Sequence, residues 1–186
     1  MKLLSLALLP FLAFAPAASA DEFTDVIAGA LEAYEEGDIT VAREELDYAM
    51  KLLTDLKAQS LAGFLPAALP GWTRSHAEAE GGGMAMAMLG GGTTAAATYT
   101  DGSQEMTITL MANSPMVSGV AAMITGMAAM GGGKPIRIQR TQFGVNDGEM
   151  QGVVDGDVLV SVSGDASVED KTAHIEAMDL KALGDF

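Results

Sequence analysis

Between Leu65 and Trp72 the chain reads Leu-Pro-Ala-Ala-Leu-Pro-Gly-Trp, and the spacing of apolar residues changes across this stretch. Pro66 and Pro70 each fix φ, remove a backbone donor and push the preceding residue away from helical geometry, so no helix continues through them. Before the prolines, apolar residues recur every three or four positions; after them, they recur every two. The expected class is therefore α+β: an N-terminal antiparallel helical hairpin, then an antiparallel sheet with two packed helices. The corresponding organisation is a hairpin over residues 21–64, a Pro-rich linker over 65–71 and a sheet domain over 72–186.

In the hairpin, Phe23, Val26, Ile27, Ala30, Leu31 and Tyr34 line one helix face, with Asp21 and Glu22 at its acidic start. Gly37-Asp38 breaks the pattern. A second face follows in Ala42, Leu46, Ala49, Met50, Leu53 and Leu56, reaching about Gly63, with Asp38 or Thr40 as its cap.

The run Tyr34-Glu-Glu-Gly37-Asp38, then Ala42, Leu46, Ala49 and Leu52, resembles the second half of a tetratricopeptide repeat, although that family's earlier Trp and Leu-Gly positions are unmatched. The resemblance implies small residues where two helices cross and large ones where the pair meets a neighbour. Such repeats need about three copies for stability, and no second copy follows. The hairpin is thus expected to dock on the rest of the chain, on another copy or on a partner. Tyr34, Leu46 and Trp72 are the candidate partner-binding residues.

Beyond Trp72, Thr94–Thr100 and Glu105–Ala112 read as a β-hairpin turning at Asp101-Gly102, with Met106, Ile108, Leu110 and Ala112 on one face. An earlier strand is expected within 72–80, and another through Met84–Leu89. Ser114-Pro115 opens a helix that stops at Gly131-Gly132-Gly133. Three further strands are expected at Ile136–Phe143, Glu149–Val154 and Val158–Ser163, joined through Asn146-Asp147-Gly148 and Asp155-Gly156. A last helix from Asp165 or Ser167 carries Val168, Ile175, Met178 and Leu183. In element order, residues 72–186 resemble the PsbP-type α+β fold, and the whole layout resembles exported bacterial proteins; neither resemblance implies an activity.

Lys2, the apolar stretch Leu3–Phe14 and Ala18-Ser19-Ala20 have the form of a secretory signal, expected to be cleaved between Ala20 and Asp21. The apolar run is shorter than the roughly 20 residues that span a bilayer, so no stable membrane insertion is expected after signal removal. Export without any Cys points to the periplasm, or alternatively to secretion. The missing Cys also excludes thiol catalysis, Cys-ligated metals and a lipidated N-terminal Cys. With 25 acidic residues against 10 basic, net charge −15, the chain is not expected to bind nucleic acid.

The sharpest chemical feature is methionine, 13 in all. Met84, Met86 and Met88 share one face of an extended segment, and Met116, Met123, Met127 and Met130 follow one helix stripe. Thioethers suit Cu(I), so a metal site at Met84, Met86 and Met88 with Cu(I) as cofactor is the alternative to a cofactor-free protein. The competing reading is gap-filling by flexible side chains among Ala and Gly. His76 and His174 lack a paired spacing and are read as surface or local hydrogen-bonding groups. No Gly-x-Ser-x-Gly elbow or phosphate loop is present, since Gly133-Lys134 precedes Pro135. The sequence assigns no catalytic residue and leans away from an enzyme without deciding the point. It favours an exported binding or accessory protein acting by protein–protein contact, on another envelope protein or on itself.

Overall fold

The computed structural model describes residues 22–76, 92–129 and 135–186. The expected export signal at 1–20, with its expected cleavage between Ala20 and Asp21, lies outside these residues, as do the strand expected through Met84–Leu89 and the Gly131–Gly133 stop. The chain is α+β: a helical hairpin followed by a seven-stranded antiparallel sheet with packed helices. It divides into two compact units between Lys51 and Leu52.

In the first unit, α1 (Glu22–Glu35) is followed by α2 (Ile39–Ala62), whose last turns belong to the second unit. The turn is a Schellman motif: Asp38 N donates to Ala33 O and Gly37 N to Tyr34 O, with Gly37 at φ 85° where a side chain would be strained. Asp38 then caps α2, its Oδ1 accepting from Val41 N at 3.1 Å. Tyr48 donates to Glu22, and the Glu45 carboxyl lies close to Gly29, which sets the two helices antiparallel. Ala30, Ala33, Ala42 and Ala49 are all buried, so the pair buries small residues.

In the second unit the strands are β1 (Thr73–His76), β2 (Thr93–Thr100), β3 (Glu105–Ala112), β4 (Ile136–Ile138), β5 (Thr141–Asn146), β6 (Glu149–Val154) and β7 (Val158–Gly164). Their spatial order is β1-β2-β3-β7-β6-β5-β4, every neighbour antiparallel. Two meanders, β1 to β3 and β4 to β7, are thus joined by the central pairing of β3 with β7. One cross-sheet row runs Ala95, Leu110, Val160, Gly152, Phe143, Ile136. Gly152 is required there because its Cβ would lie 2.7 Å from the Phe143 ring, which covers it. On this face the core gathers Ile175, Leu180 and Leu183 from α4 (Val168–Glu176) and α5 (Leu180–Gly184), together with Leu61 and Leu65. The opposite face meets α3 (Pro115–Ala129): Ile124 stands 3.6 Å from where a Cβ on Gly144 would be, on the side away from Phe143.

Two expected elements are each divided in two. The strand expected over Ile136–Phe143 is the hairpin β4–β5, turning at Gln139-Arg140. Gln139 takes φ 54° because its side-chain amide donates to Met178 O at 2.7 Å, a tertiary bond that replaces the usual Gly or Asn signal. The last helix breaks after Glu176 because Asp179 starts a new one, its carboxylate accepting from Ala182 N. By contrast, Asp147-Gly148 has positive φ at both positions, as a two-residue hairpin turn requires, and Asp155-Gly156 shares those angles within a three-residue loop between the paired Val154 and Val158.

Candidate functional site

The exposed apolar side chains of the first unit form stripes. On α1 these are Ile27, Leu31 and Tyr34, at i, i+4 and i+7; Leu31 is 57% and Tyr34 64% exposed. On α2, Ile39 at 59% and Leu46 at 49% form the stripe, while Val41 and Tyr48, also exposed, lie on the opposite side of the helix. At about 100° per residue, each stripe is turned by about 40–100° from the buried alanines of its helix, in the same sense. In an antiparallel pair that offset brings both stripes to one side. Tyr34 and Leu46 are therefore placed together on that side, whereas Trp72 packs within the second unit.

Energetics give this side its significance. Burying an alanine methyl contributes only about 0.8 kcal/mol, against about 1–2 kcal/mol of backbone entropy per ordered residue. A seam of four alanines is a weak internal bond. Leu31, Tyr34, Ile39 and Leu46 are each about half exposed, so covering one would add roughly 1–1.5 kcal/mol, and a surface that meets all four gains at least as much as the alanine methyls contribute.

The second unit contributes a groove of about 490 Å³ between the end of α2 and α5, lined by Leu53, Leu56, Phe64 and Phe186, with Lys57 and Asp185 beside it. Phe64 and Phe186 meet edge to face at 6.1 Å. Behind the groove the end of α2 is clamped to the sheet. The Arg74 guanidinium donates through Nη1 to Leu65 O and Pro66 O, both at 3.2 Å, and through Nη2 to Ala62 O at 3.5 Å, a carbonyl of the last turn of α2. Arg74 pairs in register with Tyr99, whose buried hydroxyl donates to Pro66 O at 2.7 Å. Burial pushes the Tyr99 phenol up to about 12, with Arg74 pulling it part of the way back.

His174 completes this cluster, fully buried, with its ring edge-to-face to Trp72 at 5.1 Å and to Tyr99 at 5.0 Å. Its Nδ1 lies 2.9 Å from Asp170 O, and since a carbonyl only accepts, Nδ1 carries the proton. The local hydrogen bond agrees with the sequence reading, while the complete burial was not legible. Lys171 was missed altogether. Its ammonium is fully buried and donates to Gly148 O at 2.6 Å and Gly164 O at 2.7 Å, tying α4 to the β5–β6 turn and to the end of β7. Nothing in its neighbours along the chain marks it as different from a surface lysine.

Met84, Met86 and Met88, the candidate Cu(I) ligands, lie outside the described residues. Met116 and Met123 on α3 are exposed at 37% and 52%. Among the described residues no group of three or more His, Asp or Glu side chains is arranged to hold a metal ion. Nor, among them, is any helix long and apolar enough to cross a membrane. No family model, curated protein or solved structure matches the chain.

Proposed function

We propose that the chain is an exported binding or accessory protein that acts by protein–protein contact, using the apolar side of its helical hairpin. The observation that carries this reading is the set of exposed Leu31, Tyr34, Ile39 and Leu46 beside a seam built of alanines. A repeat-like hairpin present in a single copy needs a further apolar surface, and that same side offers the area for one. The periplasm is the compartment that the N-terminal sequence favours.

The test is capture from an envelope extract by the wild-type protein and by a Leu31→Ser, Leu46→Ser variant, after circular dichroism has shown equal helicity. A defined protein held by the wild type and lost by the variant is expected. Identical bound sets for both would remove the hairpin surface from the proposal.

A further inference from the structure

The hairpin that carries this apolar side is itself strongly acidic. Residues 22–51 carry nine carboxylates against two cations, Arg43 and Lys51. Among the described residues a single ion pair forms, Arg43 to Asp47 at 3.9 Å, and both side chains are largely exposed, where such a pair contributes little. At about 100° per residue, Glu35 and Asp47 border the apolar stripes of their helices, whereas Glu32, Glu36, Glu44 and Glu45 turn toward the hairpin's other side. The carboxylates Glu32, Glu35, Glu36, Glu44 and Asp47 are all exposed. The surface thus joins apolar anchors at helical spacing to Glu35 and Asp47 at its edge, on a hairpin of strongly negative net charge.

We infer that this side of the hairpin receives a cationic amphipathic helix of another protein, with apolar residues set on Leu31, Tyr34 and Leu46 and Lys or Arg drawn by Glu35, Asp47 and the hairpin's net negative charge. The inference rests on the protein-contact reading above and names its partner class. Charge decides among the occupants. A second copy would bring the same net negative charge against this one in a self-complementary dimer, a like-charge arrangement that opposes association. An anionic lipid surface or a nucleic acid meets the same repulsion. A neutral helix would satisfy the apolar stripe and leave the carboxylates to be desolvated without a counter-charge. A basic amphipathic helix satisfies both, by the helix-on-apolar-surface mode in which anchors recur at i, i+3, i+4 and i+7.

The experiment uses three synthetic helices of about 18 residues, five turns, sharing one Leu face and differing only in a Lys, Gln or Glu polar face. Each is labelled and titrated with the purified protein by fluorescence anisotropy. The Lys peptide is expected to bind at least about tenfold more tightly than the Gln and Glu peptides. Raising salt from about 50 to about 500 mM, which shortens the screening length several-fold, is expected to weaken it about tenfold. The Leu31→Ser, Leu46→Ser variant is expected to lose about tenfold in affinity. Tyr34→Ser, at a still more exposed position, is expected to act the same way and guards against a folding defect in the double variant. Equal binding of the Lys peptide to wild type and both variants would mean general attraction to an acidic chain and would overturn the inference. Tighter binding of the Gln or Glu peptide, lost in the variants, would overturn the cationic partner while leaving protein contact at the hairpin intact. If no peptide's affinity responds to either variant, both readings fall.

Discussion

Replacing Tyr99 by Phe separates two contributions that the buried cluster combines. The hydroxyl is fully buried and donates to Pro66 O at 2.7 Å, but that carbonyl also accepts from Arg74 at 3.2 Å. Removing the hydroxyl therefore leaves no orphaned acceptor, and the loss at neutral pH is that of one ordinary hydrogen bond, about 1 kcal/mol. The second contribution depends on pH. In the folded protein the phenol ionises at about 12, compared with about 10 in an unfolded chain. Folding thus favours the protonated phenol, so its stabilisation is complete below pH 10 and is lost as pH rises from 10 through 12. A shift of this size corresponds to up to about 3 kcal/mol. Tyr99→Phe has no such group to ionise. The variant is expected to be about 1 kcal/mol less stable than wild type near neutral pH and about 1–2 kcal/mol more stable near the top of the range, with the two curves crossing between. Urea unfolding followed through Trp72, the one tryptophan, supplies both curves, and titrations common to both proteins cancel in the difference. A stability gap that stays constant from neutral to high pH would refute the claim that the fold holds this phenol neutral. A neutral-pH loss well above 2 kcal/mol would show instead that Arg74 does not keep the Pro66 carbonyl satisfied.

Two other perturbations probe the sheet. Gly152→Ala places a methyl 2.7 Å from the Phe143 ring and is expected to destabilise by about 1–3 kcal/mol; in a double-mutant cycle with Phe143→Leu, urea midpoints should show relief of at least about 1 kcal/mol, and strict additivity would count against the clash. Asp101 Oδ1 accepts from the backbone N–H groups of Ser103 and Gln104, both at 2.8 Å, and these bonds lower its pKa to about 2. Its contribution is present above about pH 4 and lost as pH falls through 2, so thermal unfolding should show Asp101→Ala less stable near pH 6, with the gap closing as pH falls below 2; a gap that persists in strong acid would contradict the assignment.

Much of the local structure was legible in the chain itself. The Asp-Gly turns announced themselves because few other pairs tolerate two positive φ angles, and Gly37-Asp38 marked the helix end and the next cap for similar reasons of backbone sterics. Gln139 gave no such signal, because its strained backbone is held by a carbonyl at Met178, far along the sequence. The same distinction governs the candidate site. Leu31, Tyr34 and Leu46 could be placed on helix faces by counting, yet their exposure depended on how little the alanine seam covers. Lys171 and His174 looked like ordinary polar residues of a terminal helix.

By itself, then, the order of residues determined the helical or extended character of most segments, the turns that Gly and Asp mark, and the acidity that limits possible partners, since these follow from short-range sterics and from composition. The tertiary structure alone decided that β3 pairs with β7 rather than with its chain neighbour β4, that a lysine and a histidine are enclosed, and which apolar stripe remains uncovered. Those outcomes arise from contacts between residues far apart in sequence, where the free energy depends on whether whole surfaces fit and no local pattern carries that information.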